Sequence, residues 1–226
     1  ANSVANNTVL GDDALDAAVT GDNNVAIGRS ALTANTSGAS NTAVGEAALD
    51  ANTTGGSNAA VGRDALGANT TGSFNQAFGR NALLTNTTGQ YNNAFGNDAL
   101  KVNTASSNSA FGHAALVANT TGSLNTAVGA NALSSNVSGG DNVAVGNNAL
   151  TVSTGSRNTA LGYNAMTDTT SGQDNTAVGF GSLGNNTTAS NNTAVGRSAL
   201  SANTTGYNNA ALGSGAASGL TTGGDN

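Results

Sequence analysis

The stretch "NTAVGEAALDANTTGGS" runs from Asn41 to Ser57, and the next seventeen residues, "NAAVGRDALGANTTGSF" (Asn58–Phe74), repeat it closely. The seventeen after that, "NQAFGRNALLTNTTGQY" (Asn75–Tyr91), do so again. Taking the opening Asn as position 0, the unit recurs thirteen times, from Asn7 to Asn209. The spacing is 17, except for units of 16 beginning at Asn92 and Asn142. Each lost residue falls just before the next Asn, which marks that segment as a tolerant turn.

Phase separates strict positions from free ones. Position 4 is Gly in every unit, including Gly45 and Gly112, and position 3 is always apolar, as at Val44. Position 2 is Ala in all but the first unit. Positions 7 and 8 read Ala-Leu, as in Ala48-Leu49 and Ala115-Leu116, and position 11 is mostly Asn, as at Asn52 and Asn119. Position 5 accepts Asp12, Arg29, Glu46, His113, Tyr163 and Phe180 alike, so it is read as solvent-facing.

The composition is not that of an ordinary globular domain. Charged residues are 8% and aromatics 4%, while Gly is 32 of 226 residues; an average protein has roughly 25% charged residues. Low complexity alone would suit a disordered segment, but disorder does not need a Leu at a fixed phase. With no Cys, a disulfide framework, a thiolate metal site and a thiol nucleophile are excluded. Six Lys and Arg cannot build the cationic surface that nucleic acid requires, so no nucleic-acid partner is expected. No apolar run approaches the length of a membrane span, so this segment is not expected to insert in a membrane. Residues 1–226 are read as a single repeat array, a piece of a longer fibrous protein.

Helices are disfavoured because Gly and Asn recur every few residues. Short apolar strands at the Ala-Val and Ala-Leu pairs, bounded by Gly and Asn turns, fit better. A period of 17 is too short for a helix pair or a propeller blade and suits one coil of a solenoid. The fold expected is all-β: a repetitive parallel β-solenoid or β-roll with about 17 residues per coil. Stacked coils place Leu on Leu, Gly on Gly and Asn on Asn, and twelve intervals would extend about 58 Å. The Asn columns can pass amide hydrogen bonds along the axis. The invariant Gly is expected where φ is positive or backbones approach closely. In "AVG" the Val is expected to face the interior and the Ala to face outward, giving a second packing surface and a homotrimeric rod. The structural ladder is therefore assigned to Asn41, Val44, Gly45, Ala48, Leu49, Asn52, Gly112, Leu116 and Asn119.

The units "NNVAIGRSA" (Asn23–Ala31) and "NTAVGEAAL" (Asn41–Leu49) resemble the head repeats of YadA-like trimeric autotransporter adhesins. The longer unit is also similar to repeats of phage and bacterial tail-fibre proteins. The resemblance covers essentially the whole chain and implies parallel β-rolls, three chains to a rod, with coils of about 14 residues in the adhesins. The extra Asn-Thr-Thr-Gly segment is a departure from that pattern. The resemblance implies a structural shaft of an extracellular fibre, on a virion tail or a bacterial surface, carrying a receptor-binding tip. Its partners would be copies of itself. The competing reading is an adhesive module that meets a host cell-surface receptor or glycan along its side.

Enzyme chemistry finds little material, and no catalytic, cofactor or metal residues are assigned. The single His113 and the single Glu46 both sit at the free position 5. Asp12, Asp13, Asp16 and Asp22 do not follow the Gly-Gly-x-Gly-x-Asp pattern of calcium-binding rolls. Phe78, Phe95 and Phe111 at position 3 are read as a locally wider core, with an aromatic carbohydrate patch as the alternative. Phe74, Tyr91, Tyr163, Phe180 and Tyr207 fall at loop positions and are the candidates for surface contact. Thr53, Thr70, Thr87 and Thr120 could form an ice-binding ladder, but that needs T-x-T, and here the Thr residues are adjacent. The recurring Asn-x-Thr at position 11 is read as ladder sequence, and as a glycan acceptor only in a eukaryotic secretory pathway. Gly112→Val should cost roughly 2–4 kcal/mol of stability, whereas His113→Ala should leave the melting temperature unchanged; equal melting temperatures would contradict the assigned phase.

Overall fold

A computed structural model describes residues 6–226 and divides the chain into two compact units, Ala1–His113 and Ala114–Asn226. The first holds β1 (Thr8–Leu10), β2 (Val25–Ile27), β3 (Thr42–Val44), β4 (Ala59–Val61), β5 (Gln76–Phe78), β6 (Asn93–Phe95) and β7 (Ser109–Phe111). The second holds β8 (Thr126–Val128), β9 (Val143–Val145), β10 (Thr159–Leu161), β11 (Thr176–Val178), β12 (Thr193–Val195) and β13 (Ala210–Leu212). Within each unit consecutive strands pair in parallel, and equal phases face each other: Thr42 with Ala59, Ala43 with Ala60, Val44 with Val61. The fold is an all-β parallel β-solenoid with one three-residue strand per coil and no helix among the described residues.

Backbone hydrogen bonds join neighbouring coils far beyond the strands. In the coil opening at Asn41, the N–H groups of Thr42, Leu49, Ala51 and Thr53 donate to the coil that follows. Those of Gly45, Ala47 and Ser57 donate to the coil before. Most of the circumference is therefore stitched, although only three residues per coil are strand. The closest approach is at position 4. A Cβ built on Gly45 would lie 2.6 Å from the Gly62 carbonyl oxygen, and its φ is 136°. Both reasons expected for the invariant Gly hold at once. Gly112 shares the conformation, with φ 142° and its N–H donating to the Phe95 carbonyl at 2.8 Å.

The Ala-Leu pair is not a second strand. It lies in a turn held by Ala48 N–H to the Gly45 carbonyl (3.3 Å) and Asn52 N–H to the Leu49 carbonyl (3.1 Å). Leu49 itself has φ 54°, and each described Leu or Met at position 8 is likewise left-handed. A left-handed non-glycine residue costs roughly 1–2 kcal/mol. Burying the Leu side chain contributes about 1.5–3 kcal/mol, and Leu49 is wholly buried with its N–H bonded to Ala65 in the next coil. Packing wins over propensity, once per coil.

Two Asn columns finish the interior, and both are amide ladders. The Asn41 backbone N–H donates to Asn24 Oδ1 at 2.9 Å, and Asn41 Oδ1 accepts from the Asn58 N–H at 3.0 Å. At position 11, Asn52 Nδ2 donates to Asn35 Oδ1, and Asn69 Nδ2 donates to Asn52 Oδ1, both at 2.8 Å. Asn119 Oδ1 accepts from Asn136 Nδ2 in the same way. Both columns also converge on one carbonyl: Asn41 Nδ2 and Asn52 Nδ2 each donate to Gly55 O at 2.9 Å. The short coil opening at Asn92 keeps this junction, with Asn92 and Asn103 both donating to Ala105 O at 2.8 Å, while the one opening at Asn142 has Ser153 at position 11 and keeps only Asn142 Nδ2 to Gly155 O at 2.9 Å. They disturb the position-11 ladder instead. The unpaired buried oxygens Asn86 Oδ1 and Asn136 Oδ1 each lie one rung before a short coil.

The strand phase is the reverse of the one expected. Ala43 and its equivalents from Ala26 to Ala194 are wholly buried, whereas Val44 is half-buried and faces outward. The reason lies one residue upstream of each strand. The buried Asn at position 0 points inward, so alternation sends position 2 inward and positions 1 and 3 outward. The core is thus Asn41, Ala43, Ala48, Leu49 and Asn52 of each coil, with Leu116 and Asn119 in the second unit. Ala43→Leu should overpack this column and cost about 1–3 kcal/mol, while Val44→Leu, which copies Leu161, should melt as the parent does. A larger loss from Val44→Leu would reverse the phase.

Candidate functional site

The outward phase of the strands creates a surface that a lone chain leaves uncovered. Position 3 forms an apolar column in each unit. Ile27, Val44, Val61, Phe78, Phe95 and Phe111 run along the first, and Val128, Val145, Leu161, Val178 and Val195 along the second. Position 1 runs beside it, two residues away on the same strand face, and carries Thr, Ala, Val, Ser, Asn or Gln. No charged residue occupies either column in any unit.

Phe78, Phe95 and Phe111 belong to this outer column and not to a wider core. Phe95 is 36% and Phe111 41% exposed. Their rings stack along the coil axis, with centroids 4.7 Å apart for Phe78–Phe95 and 5.0 Å for Phe95–Phe111. The rung spacing of parallel strands, about 4.8 Å, sets this distance.

The loop aromatics are on the surface, where the sequence places them, and most pair. Phe74 and Tyr91 stack at 5.2 Å with coplanar rings, and Tyr163 and Phe180 stack at 5.4 Å. The Arg197 guanidinium lies 5.6 Å from the Phe180 centroid on the following rung. Tyr207 is about half exposed and lies against Gly224, one coil later. These five do not converge on one site. Phe74 and Tyr91 lie in the first unit, and Tyr163, Phe180 and Tyr207 in the second.

Position 5 is exposed in nearly every coil, His113 included. Glu46 pairs with Arg29 of the preceding coil, and Arg63 turns to its neighbour Asp64 at 2.8 Å. Arg157 makes a bidentate contact to Asp174 at 2.6 and 2.9 Å. That contact holds the Asp174 carboxyl below its ordinary range, and the Asn81 amide, with Lys101, does the same for Asp98. Burial pushes Asp50 the other way. Asp12, Asp13, Asp16 and Asp22 are exposed, and no group of three or more His, Asp or Glu among the described residues is placed to hold a metal ion.

The position-12 threonines spend their hydroxyls internally. Thr53 Oγ1 donates to Thr70 O at 3.0 Å and Thr70 Oγ1 to Thr87 O at 3.1 Å. The position-11 asparagines are likewise committed, since Asn52 is wholly buried and its amide nitrogen makes two hydrogen bonds. One feature has no counterpart in the sequence reading: a recess of about 320 Å³ in the second unit, over Gly181 and Gly184. The coil opening at Asn175 is the only one with Gly at both positions 6 and 9, and that coincidence is the signal that could have located it.

No family model matches the chain, and no curated protein or solved structure matches it.

Exposed ion pairs contribute little, so the fold should be nearly insensitive to salt. Depressed Asp98 and Asp174 contribute stability present above the unfolded carboxylate pKa, about 4, and lost as pH falls through their folded values. Raised Asp50 has the opposite sign and favours the fold as pH falls through its own value. Arg157→Gln and molar sodium chloride should each lower the neutral-pH melting temperature only slightly, because the Arg157–Asp174 pair is exposed. A marked fall in either would show that charge, not the amide ladder, carries the coil.

Proposed function

We propose that this chain is a structural shaft segment of an extracellular homotrimeric fibre, on a virion tail or a bacterial surface, that holds a receptor-binding tip away from its base. The observation that supports this reading best is the uncharged, apolar position-3 column on the outside of each unit. Exposed apolar strips of this continuity mark association surfaces. The strip is only one three-residue strand wide, about 10 Å. A strip so narrow suits chains meeting edge to edge around a common axis better than two broad faces packing together. Three copies arranged in a closed ring would each cover the others' columns. The stacked phenylalanines would become the widest layer of that shared core. The shaft's mechanism is mechanical: backbone bonds along the axis and amide columns inside each coil resist bending and pulling.

The surface aromatic pairs favour a second reading, in which the side of the fibre adheres to a host receptor or glycan. Phe74–Tyr91 at position 16 and Tyr163–Phe180 at position 5 are stacked and about half exposed, outside the three-residue strands. The two readings are compatible, since a shaft can carry contacts on its turns.

Sedimentation equilibrium of the 226-residue chain should give three times its 21.6 kDa mass. Val61→Asp with Val178→Asp, one in each unit, should yield a monomer, while Arg29→Ser at the free position 5 should stay trimeric. A monomeric parent chain would overturn the shaft reading.

A further inference from the structure

The recess lies over Gly181 and Gly184, in the coil whose positions 6 and 9 are both Gly. The coil before supplies Asn164 and Thr167 as one wall, and the coil after supplies Ser201 as the other. Asp168 and Asn185 stand at the rim, and Phe180 closes one end. The Phe180 ring lies between Tyr163, stacked at 5.4 Å, and the Arg197 guanidinium at 5.6 Å. A Cβ on Gly181 would meet only Ser198 Oγ, at 3.9 Å, and one on Gly184 would lie 3.2 Å from the Gly181 carbonyl oxygen.

Thr167 donates its hydroxyl to the Asn164 carbonyl at 2.8 Å, and three other polar side chains around the recess are unspent. Among the described residues, the side chains of Asp168, Asn185 and Ser201 make no hydrogen bond. Asn164 Oδ1 is buried and also lacks a partner. Elsewhere the position-6 column satisfies itself, as in Asn131 Nδ2 to Asn148 Oδ1 and Asn81 Nδ2 to Asp98 Oδ1. The rung that would accept from Asn164 Nδ2 is Gly181, which has no side chain.

We propose that this recess binds one ring of a neutral saccharide. Its volume lies at the small end of ligand pockets, a size for a single sugar unit. Its lining mixes a carboxylate acceptor, amide and hydroxyl groups that can donate or accept, and one aromatic ring. A pyranose presents the matching set, with hydroxyls at its rim and C–H groups on its faces. The Asp168 carboxylate disfavours acidic sugars, which would face like charge. The inference deepens the adhesive reading of the turn face and does not rest on the trimer: the recess lies on turn positions, within one chain, away from the position-3 column.

The repeat itself supplies the control. Position 9 carries Leu84 in another coil, and position 6 carries Asn164 at φ 53° beside Gly181 at φ 60°. Gly184→Leu and Gly181→Asn therefore copy side chains the fold already accepts, and both fill the recess. Saturation-transfer NMR would be recorded on the 226-residue chain with the methyl glycosides of glucose, galactose and N-acetylglucosamine at millimolar concentration. The expected result is transfer to at least one of them, lost in Gly184→Leu and in Gly181→Asn and weakened in Asp168→Asn, with all melting temperatures at or above the parent's. No transfer to any of the three overturns the proposal, as does transfer that survives both filled variants or that appears only with an acidic sugar. Sedimentation of the same samples reports the trimer separately, so either reading can fail without the other.

Discussion

In most coils two asparagine amides meet on one backbone carbonyl, and where position 11 is Ser153 or Thr169 the position-0 Asn still reaches it; the rest of the structure depends on that junction. Asn41 and Asn52 come from opposite ends of a coil and donate to the same Gly55 oxygen. The bond from Asn41 spans fourteen residues and closes the loop; the bond from Asn52 folds the Asn-Thr-Thr-Gly segment back on itself. The amide oxygens then reach to the next rung and repeat the arrangement. A core this narrow holds one Leu and two Ala per coil, too little apolar surface to fix a unique shape alone. Satisfied polar groups in a dry interior supply that specificity, because any other register would leave two buried amides unpaired.

This constraint explains where the sequence is rigid and where it is free. Position 4 stays Gly because the neighbouring carbonyl occupies the space of a Cβ and the backbone is left-handed. Positions 2 and 7 stay small because Asn and Leu already fill the interior. Position 5 and the turn before each Asn drift, since their side chains face outward and take no part in the amide ladders. Shortening tolerates the same logic. The coils opening at Asn92 and Asn142 lose a residue between position 11 and the carbonyl that the opening Asn reaches, and the bond from that Asn survives.

The period, the parallel stacking, the amide ladders and the special Gly were legible in the sequence because each leaves an invariant polar or small residue at a fixed phase. The direction of the strand was not read correctly, although the signal was present. Position 2 is almost always Ala, while position 3 ranges over Val, Leu, Ile and Phe. A residue free to change volume that much has room, and in a close-packed interior only the outer face gives room. Hydrophobicity alone favoured Val as the inward residue; constancy of size favoured Ala, and constancy was right. The Ala-Leu turn was illegible for another reason, since Leu is not a residue that announces a left-handed backbone, and only its packing holds it there. The recess over Gly181 and Gly184 escaped notice because two glycines among so many do not stand out until their phases are compared.

The outer face then acquires its meaning from what the inner face does not need. The coil closes without Val44 or the stacked phenylalanines, so these are available to other chains, and the turns are available to ligands. The central claim is that buried asparagine amides organise each coil, and hydrogen exchange of the Asn41 and Asn52 side-chain NH₂ groups tests it most directly. The account predicts exchange slowed to the rate of the surrounding backbone amides, because those protons leave only when coils separate. Exchange at the rate of a free asparagine amide, in a chain that is otherwise folded, would contradict it.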